Sequence, residues 1–330
     1  MNPMRALFLL TATLLVIPEF LSAADLKIGI IGLDTSHVTA FTELLNNSTN
    51  SKHVSGARVV AAFKGGSSDI ASSASRVEGY TRELQSRYQV KIVDSIESLC
   101  SQVDAVLLES VDGRPHLEQL RPVFRAHKPV FIDKPIAGSL RDAVEIVRLA
   151  KESGVPCFSS SSYRFYESMQ ELKKTDVGKV LSAISYGPAE KEAHHPDLFW
   201  YGVHPVEGLF TIMGRGCQTV SRTASDATDV VVGSWSEGRT GTLVGLRTGA
   251  TPHKVIVFGS KGVAEQKGSG DYAPLVREII ECFKTGKSPV SLDETLELFA
   301  FMEAADESRR QGGKPVSIAD ILKAAGAKSP

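Results

Sequence analysis

The chain has 330 residues, with 37 Lys and Arg against 38 Asp and Glu, so its formal net charge at pH 7 is −1. This length suffices for two domains of ordinary size. Charge is balanced and the basic residues are scattered rather than clustered among aromatic ones. The composition therefore argues against binding to nucleic acid or to an anionic membrane surface.

The N-terminal segment has the three-part form of a secretory signal peptide. Met1–Arg5 carries a positive charge, Ala6–Ile17 is nearly all apolar, and Ser22–Ala24 supplies the small residues of a cleavage site. The apolar core is shorter than the roughly 20 residues that a membrane span needs. We therefore expect residues 1–24 to be removed during export by the Sec route rather than retained as an anchor. The mature protein is expected to be periplasmic or extracellular, without membrane attachment.

After this segment, apolar runs that predict strands alternate with amphipathic patterns that predict helices. Short runs such as Val106–Leu108 are typical of strands buried on both faces. The alternation predicts an α/β domain of the Rossmann type, with a doubly wound parallel sheet, over residues 25–155. Its predicted strands are Leu26–Gly32, Ala57–Phe63, Lys91–Val93, Ala105–Glu109, Val130–Ile132 and Pro156–Ser159, and its predicted helices are Ser36–Leu45, Arg76–Tyr88, His116–His127 and Leu140–Ser153.

The pattern changes in the second half, where extended segments bounded by Gly, Ser and Thr turns dominate. It predicts an α+β domain with a mostly antiparallel sheet over residues 156–330, and ligands are expected in the cleft between the two domains. The predicted strands are Lys179–Tyr186, Thr228–Ser236, Gly241–Arg247 and Lys254–Phe258, and the predicted helices are Tyr163–Lys174, Val203–Met213, Tyr272–Thr285 and Asp293–Gln311.

Four cysteines are spread along both halves of the chain. Cys100, Cys157, Cys217 and Cys282 lie far apart and lack metal-ligand spacing. We expect them to be buried thiols, although pairing stays open in an exported chain.

The turn after the first predicted strand is the most informative motif. Gly32 ends the strand and a helix start follows, which is the context in which a dinucleotide pyrophosphate lies at a helix N-terminus. Asp34 and His37 take the second and third glycine positions of the G-x-G-x-x-G pattern. A carboxylate about 4 Å from a phosphate costs about 4 kcal/mol at an effective dielectric of 20. Alternatively, Asp34, Thr35 or Ser36 caps the helix.

The loop after the second predicted strand bears on cofactor choice. NAD-binding proteins generally end this strand with an acidic residue for the ribose hydroxyls. Here Phe63 is followed by Lys64, two glycines and two serines. Lys64 can hold the 2′-phosphate of NADP, or the loop is an exposed one without a ligand.

Several segments together carry a family resemblance that extends over essentially the whole mature chain. They are Ile28–Gly32, Ile132–Pro135, Tyr163–Phe165, Gly202-x-His204 and Phe299–Gly313. The chain resembles the glucose-fructose oxidoreductase, inositol dehydrogenase and rhizopine-catabolism (Gfo/Idh/MocA) family. The Lys-Pro dipeptide after a buried strand is the most specific element, although the family normally has Glu where this chain has Asp133.

The resemblance implies an NAD(P)-dependent dehydrogenase of a sugar, a polyol or a sugar derivative. The loop that carries Lys64 makes NADP slightly preferred. The resemblance also implies that Lys134 contacts both the substrate hydroxyl and the nicotinamide ribose, and that His204 is a general base. It further implies homo-oligomerisation through the C-terminal sheet. The expected cofactor-binding residues are Gly32, Asp34, Thr35, Ser36, His37, Lys64 and Lys134.

One family feature is missing. The aspartate four residues before the histidine is Trp200, so Asp197 is expected to complete the catalytic set, with Glu207 or His195 as alternatives. Trp200 either stacks on a sugar ring or forms an ordinary cleft wall. The expected substrate contacts are His116, Arg164, His195 and Trp200.

Carboxylates and imidazoles are dense between residues 194 and 207, where His194, His195, Asp197, His204 and Glu207 occur. Such groups can bind a divalent metal, but strict metal-ligand spacing is missing. A polar substrate-binding cleft is the favoured interpretation, and no metal is expected. The alternative functions are a redox-silent carbohydrate lyase or hydrolase, with or without a metal, and a sugar-binding protein.

Overall fold

The computed structural model describes residues 24–327. The predicted signal peptide lies outside these residues, except for Ala24. The first half of the chain forms a six-stranded parallel sheet with the order β3-β2-β1-β4-β5-β6. Its strands are β1 (Leu26–Ile31), β2 (Ala57–Phe63), β3 (Lys91–Val93), β4 (Ala105–Leu108), β5 (Val130–Ile132) and β6 (Cys157–Ser159).

Helices cover this sheet, and all residues of β4 and β5 are buried. The predicted parallel sheet is confirmed. Its short apolar runs form strands that are packed on both faces, as their composition indicates. Ser139 caps α6 by accepting the N–H of Asp142 at 3.1 Å, and Gly154 ends it. The helices are α1 (His37–Asn46), α2 (Ala71–Ala74), α3 (Val77–Tyr88), α4 (Ile96–Cys100), α5 (His116–Arg125) and α6 (Leu140–Ser153).

The second half forms a seven-stranded sheet with the order β12-β11-β7-β10-β9-β8-β13. Only the β7–β10 pair is parallel, so the predicted mostly antiparallel sheet is also confirmed. Its strands are β7 (Val180–Pro188), β8 (Cys217–Ala224), β9 (Thr228–Trp235), β10 (Thr240–Leu246), β11 (Lys254–Gly259), β12 (Val263–Glu265) and β13 (Val316–Ser317).

Helices of the second half pack on both sheets. The helix α8 (Val203–Met213) lies on β7 and β10, whereas α9 (Ala273–Thr285) packs against α1 of the first half. The helix α10 (Leu292–Arg310) contacts both β8 and α6. One apolar cluster therefore runs from the first sheet through α10 into the second. The remaining helices are α7 (Glu167–Lys174) and α11 (Ile318–Ala324).

Two differences from the predicted elements have clear physical causes. The helix predicted over 163–174 is a 3₁₀ turn, Ser162–Phe165, followed by α7, because Tyr166 between them has φ −52° and ψ 136°. The strand β8 was not predicted, because its sequence lacks an alternating apolar pattern and the buried Arg222 takes a core-facing position. The short elements α2, α4, β12, β13 and α11 were not predicted either.

Cys100, Cys157, Cys217 and Cys282 are free and buried, which confirms the expectation of buried thiols. Burial raises the pKa of the Cys100 thiol to about 11. Among residues 24–327, none of the helices has both the length and the apolar character that a membrane crossing requires.

Candidate active site

A cleft lies at the carboxyl edge of the first sheet, where the starts of α1, α8 and α9 meet the end of β5. The strand order reverses between β1 and β4, and ligands of open α/β sheets bind at such a switch point. Residues from both halves of the chain line the cleft. They include Thr35, Ser36, His37, Ser72, Arg76, Val111, Lys134, Tyr166, Trp200, Tyr201, His204, His253 and Tyr272.

Lys134 enters this cleft from the loop after β5. The side chain is only 9% exposed, and its Nζ lies 6.0 Å from the ring centroid of Tyr201. Within the described residues, Lys134 forms no ion pair, although Asp133 precedes it and accepts its backbone N–H at 2.8 Å. The ammonium is therefore free to act on a ligand in the cleft.

His204 faces the same cleft from the first turn of α8. Its Nδ1 lies 2.7 Å from the hydroxyl oxygen of Ser161, while Nε2 makes no hydrogen bond to the described residues. Burial and then the nearby charge of Lys134 hold the pKa of His204 well below its usual range. The imidazole is thus neutral at pH 7. Trp200 and Tyr201 lie in the cleft wall beside it.

His37 contributes a second imidazole, which is bonded to a carboxylate. Its Nδ1 lies 2.6 Å from Oδ2 of Asp133, and its ring stacks on Phe41 with a centroid separation of 5.1 Å. Although burial acts in the opposite direction, the charge and hydrogen bond of His37 lower the pKa of Asp133. The sequence analysis placed both residues near the site but did not pair them. They are 96 positions apart, and only the shared carboxyl edge of β1 and β5 brings them together.

Asp34 does not face the cleft, and the expectation that it caps α1 is wrong. Its carboxylate is buried, with Oδ1 accepting the Val111 N–H at 2.9 Å and Oδ2 accepting the Ser73 hydroxyl at 2.6 Å. Burial raises the pKa of Asp34 above its ordinary value. The N-cap position of α1 is Ser36, whose side chain makes no capping hydrogen bond. Asp34 instead ties the turn after β1 to α2 and to the loop after β4.

Two of the expected substrate contacts are engaged elsewhere. His116 is fully buried, with Nδ1 3.1 Å from the Ile136 carbonyl and Nε2 2.9 Å from the Ser110 carbonyl. Arg164 is buried in ion pairs with Glu207 and Glu294. Both are corrections to the sequence analysis, because neither side chain is available to a ligand.

His195 and Asp197 also lie outside the cleft wall. The side chain of His195 is inaccessible, with Nε2 3.1 Å from Oδ1 of Asp112, and its ring centroid is 5.0 Å from that of Trp200. Asp197 pairs with Arg222 at 2.9 Å and also with Arg309. The expectation that Asp197 orients His204 is therefore wrong, since its carboxylate is held by arginines, whereas Trp200 does line the cleft.

The predicted concentration of imidazoles and carboxylates between residues 194 and 207 is dispersed in the fold. His204 bonds Ser161, Glu207 bonds Arg164 and Ser160, and Asp197 joins the arginine pairs. Over residues 24–327, no group of three or more His, Cys, Asp or Glu side chains is arranged to hold a metal ion.

The turn after β1 fits the phosphate end of a dinucleotide. Gly32 has φ +88°, and a Cβ there would lie 2.2 Å from Oγ of Ser110, so this position requires glycine. The backbone N–H groups of Thr35 and Ser36 donate to no group in the described part of the chain, and both residues line the cleft. A helix start with open N–H donors suits an anion.

The adenosine side of the same groove is bridged by protein. Ser67, in the loop after β2, donates to Asp112, in the loop after β4, at 2.5 Å. Arg114 bonds both carboxylate oxygens of Asp69 at 2.8 Å. Lys64, the candidate partner of a 2′-phosphate, pairs with Glu78 at 2.9 Å on the surface. The residues present thus fit the phosphate and nicotinamide end of the cofactor. The adenosine end would have to compete with the contacts between the loops after β2 and β4, which are Ser67 with Asp112 and Asp69 with Arg114.

Comparisons with known proteins agree with this geometry. Inositol 2-dehydrogenase 2 of Saccharopolyspora erythraea is 25% identical over 208 residues, which are 59% of this chain and 56% of that protein. YceM of Salmonella typhimurium, named as an oxidoreductase, is 33% identical over 95 residues, 29% of this chain and 30% of that protein. The matches therefore span less than two thirds of either relative.

Solved structures share the fold over most of the chain. Scyllo-inositol dehydrogenase from Lactobacillus casei, with bound NAD(H) and scyllo-inositol, has a TM-score of 0.73 at 14% identity and covers 89% of this chain and 99% of its own. Myo-inositol 2-dehydrogenase from Lactobacillus plantarum has a TM-score of 0.73 at 17% identity, with the same coverage. These identities establish the fold alone.

The N-terminal half also matches a family model. Residues 26–161 match the model GFO_IDH_MocA, described as an oxidoreductase family with the NAD-binding Rossmann fold. The matched range contains the turn at Gly32, the loop that carries Lys134 and all six strands of the first sheet. Residues 26–161 are therefore similar to the NAD-binding Rossmann domain of the Gfo/Idh/MocA oxidoreductase family.

Proposed function

We propose that the protein is an NAD(P)-dependent oxidoreductase of a sugar, a polyol or a sugar derivative. The observation that carries this proposal is the meeting of Lys134 and His204 in one cleft beside the open N–H groups at the start of α1. The family of the N-terminal domain and the inositol dehydrogenases among its relatives support the reaction class.

In this proposal Lys134 stabilises the developing alkoxide. Its ammonium is largely removed from water and has no ion-pair partner in the described residues, so its field acts on a hydroxyl bound nearby. When bound, the nicotinamide supplies the hydride acceptor. His204 contacts the same hydroxyl through Nε2. An imidazole of the cleft takes the hydroxyl proton, a role that the family resemblance gives to His204. Trp200 and Tyr201 supply an apolar surface for the ring of the substrate.

Lys64 is the basis for proposing NADP over NAD. Its pair with Glu78 is exposed, with side-chain exposures of 43% and 64%. Exposed pairs contribute roughly 0–1 kcal/mol, so a doubly charged 2′-phosphate can displace Glu78 from Lys64 at little cost.

Native mass spectrometry and calorimetry with NAD and NADP test the cofactor. Turnover is then measured with myo-inositol, scyllo-inositol and a panel of sugars, following reduced nicotinamide by fluorescence. We expect bound nucleotide and substrate-dependent reduction. Binding of neither nucleotide, together with no reduction over the whole panel, would contradict the proposal.

The bridge over the adenosine groove favours a second candidate, a redox-silent carbohydrate lyase, hydrolase or sugar-binding protein. Asp34, Asp69 and Asp112 fill or span the path that a dinucleotide takes in this fold. Sugar binding in calorimetry without any nucleotide binding would select this candidate. Product analysis with glycosides would then separate catalysis from binding.

We also propose export and self-association. The leader-like residues 1–24 support export, and N-terminal sequencing from the native host that finds Met1 would contradict it. The outer face of the second sheet exposes Val230 and Val232, each by 41%. Such an apolar face suits a second copy of the chain. Light scattering on the wild type and on Val232→Lys tests this, with dissociation expected in the variant.

A further inference from the structure

We propose that His37, held by Asp133, is the group that accepts the hydroxyl proton of the substrate. This inference rests on the proposed oxidoreductase function and deepens it. It assigns the role of general base to His37, the first residue of α1, rather than to His204 in α8. Asp133 is then a positioning residue, since it acts through His37.

The geometry orients His37 as a base. Its Nδ1 is 2.6 Å from Oδ2 of Asp133, so Nδ1 carries the proton of the neutral ring and Nε2 keeps its lone pair. Nε2 makes no hydrogen bond to the described residues, and His37 lines the cleft together with Lys134. Phe41 stacks on the ring at 5.1 Å, and Tyr272 contacts it edge-on at 4.8 Å. These two aromatic contacts restrain rotation of the imidazole.

Of the three histidines that line the cleft, His37 and His204 differ in what supports a positive charge. Asp133 lies against His37 and compensates an imidazolium formed there. His204 is bonded to the neutral hydroxyl of Ser161, has Lys134 nearby, and has Trp200 at the position where the family carries a carboxylate. The carboxylate beside His37 therefore stabilises an imidazolium, whereas neutral His204 is suited to hydrogen bonding with the substrate.

The groups around His37 preserve the charge of Asp133. Lys134 and His204 line the cleft together with His37, and Tyr272 contacts the His37 ring from the start of α9. Behind Asp133 lies Glu109, whose two carboxylate oxygens are buried without a hydrogen-bond partner among residues 24–327. Burial, followed by the charges of Asp133 and Asp34, raises the pKa of Glu109 well above its usual range. Glu109 is therefore neutral, and Asp133 is the ionised partner of His37.

The proton and electrons are accounted for in one step. The O–H bond of the substrate breaks and its proton passes to Nε2 of His37, while the O–H electron pair forms the carbonyl bond. The C–H bond breaks at the same carbon, and the hydride leaves with its electron pair to the oxidised nicotinamide. The products are a carbonyl compound, reduced nicotinamide and the His37 imidazolium, which then releases its proton to water.

The kinetic test compares pH–rate profiles of His37→Gln, His204→Gln and Asp133→Asn, with His53→Gln as a histidine control away from the cleft. We expect His37→Gln to lose roughly 10²–10⁴-fold in kcat and to lose the acidic limb of the profile. His204→Gln should mainly raise KM and keep that limb. An acidic limb that persists in His37→Gln, or that disappears only in His204→Gln, overturns the assignment.

A second measurement does not depend on turnover. The protonation of His37 is followed by imidazole NMR in the wild type and in Asp133→Asn, with circular dichroism as the folding control. We expect the proton affinity of His37 to fall at least tenfold without Asp133. An unchanged affinity overturns the inference. A wild type that transfers no hydride would refute the proposed function, and the NMR result would still decide whether Asp133 makes His37 a base.

Discussion

The backbone N–H of Val111 donates to Oδ1 of Asp34 at 2.9 Å, directly across the point where the strand order of the first sheet reverses. The same carboxylate accepts the hydroxyl of Ser73 at 2.6 Å. Asp34 occupies a glycine position of the dinucleotide-binding pattern, and here it joins the turn after β1, the helix α2 and the loop after β4. Its function in this fold is structural, and its substitution has structural consequences.

We expect Asp34→Gly to destabilise the protein rather than to improve nucleotide binding. The change leaves the Val111 N–H and the Ser73 hydroxyl without their acceptor, and each buried unsatisfied group costs about 1–3 kcal/mol. The free energy of unfolding is measured with urea, with the exposed Asp94→Asn as a control. An unchanged urea midpoint, or nucleotide binding that tightens without loss of stability, would contradict the structural role.

We expect Lys134→Met to lose roughly 10²–10⁴-fold in kcat/KM while the fold is retained. Methionine keeps much of the apolar stem but removes the ammonium that acts on the developing alkoxide. Steady-state kinetics on any substrate that turns over provide the measurement, with Lys91→Met as a surface control. A rate close to that of the wild type would remove Lys134 from the catalytic set.

The fold was largely predictable from the sequence because its central strands are short, apolar runs between amphipathic helices. The apolar run Val106–Leu108 and the apolar residues on one side of the helix Leu140–Ser153 are buried in the structure, as their pattern predicts. The strand β8 escaped prediction because Arg222 takes a core position, where three aspartates neutralise it. A pattern search for apolar residues does not detect a strand whose core is an ion-pair network.

The candidate site was predictable only in part. Lys134 and His204 were found because local motifs mark them. His116 and Arg164 were misassigned, since their carbonyl and carboxylate partners lie far away in the sequence or carry no local signal. The pairing of His37 with Asp133 could not be predicted either, because the two residues are far apart in the sequence and only the fold brings them into contact.

We expect Asp197→Asn to leave kcat/KM unchanged. Asp197 bonds Arg222 and Arg309 rather than His204, so it has no path to the reacting hydroxyl. By contrast, Arg222→Met removes the arginine partner of the buried Asp306 and one of the two arginine partners of the buried Asp229, which keeps Arg247. Breaking such a buried network costs about 3–5 kcal/mol. Kinetics on the first variant and urea unfolding of the second test the assignment. A large rate loss in Asp197→Asn would restore its catalytic role.

We expect Glu109→Gln to make the protein more stable at alkaline pH. The pKa of Glu109 is raised well above 4.5 in the fold by burial and by the charges of Asp133 and Asp34. Between the unfolded and folded pKa values, the native state therefore binds more protons, and stability falls as pH rises, by up to about 1.4 kcal/mol per pH unit for this group. Glutamine has no proton to lose.

Thermal or urea unfolding of wild type and Glu109→Gln from pH 5 to pH 9 measures this difference. The gap between the two proteins should widen with rising pH. Parallel pH profiles would show that Glu109 ionises in the fold without penalty. The variant also tests the charge arrangement at Asp133, because His37 should keep its ionised partner when Glu109 is replaced by a neutral isostere.

We expect Asp69→Ala to tighten binding of both NAD and NADP. The ion pair of Asp69 with Arg114 joins the loops after β2 and β4, where the adenosine end of a dinucleotide crosses this fold. Asp69 is 48% exposed and Arg114 34%. An exposed pair contributes little, so its removal should improve the nucleotide Kd by no more than about fivefold. Calorimetry on both forms gives the measurement.

Glu152→Ala serves as the matched control, because Glu152 pairs with Arg148 on the exposed face of α6, far along the sequence from both loops. It should not change either Kd. If Asp69→Ala and Glu152→Ala behave alike, the bridge does not compete with the cofactor. If Asp69→Ala creates nucleotide binding that the wild type lacks, the bridge itself keeps the dinucleotide out. The natural protein would then be the redox-silent candidate. Its turn after β1 would keep the Rossmann geometry, while the joined loops after β2 and β4 exclude the dinucleotide.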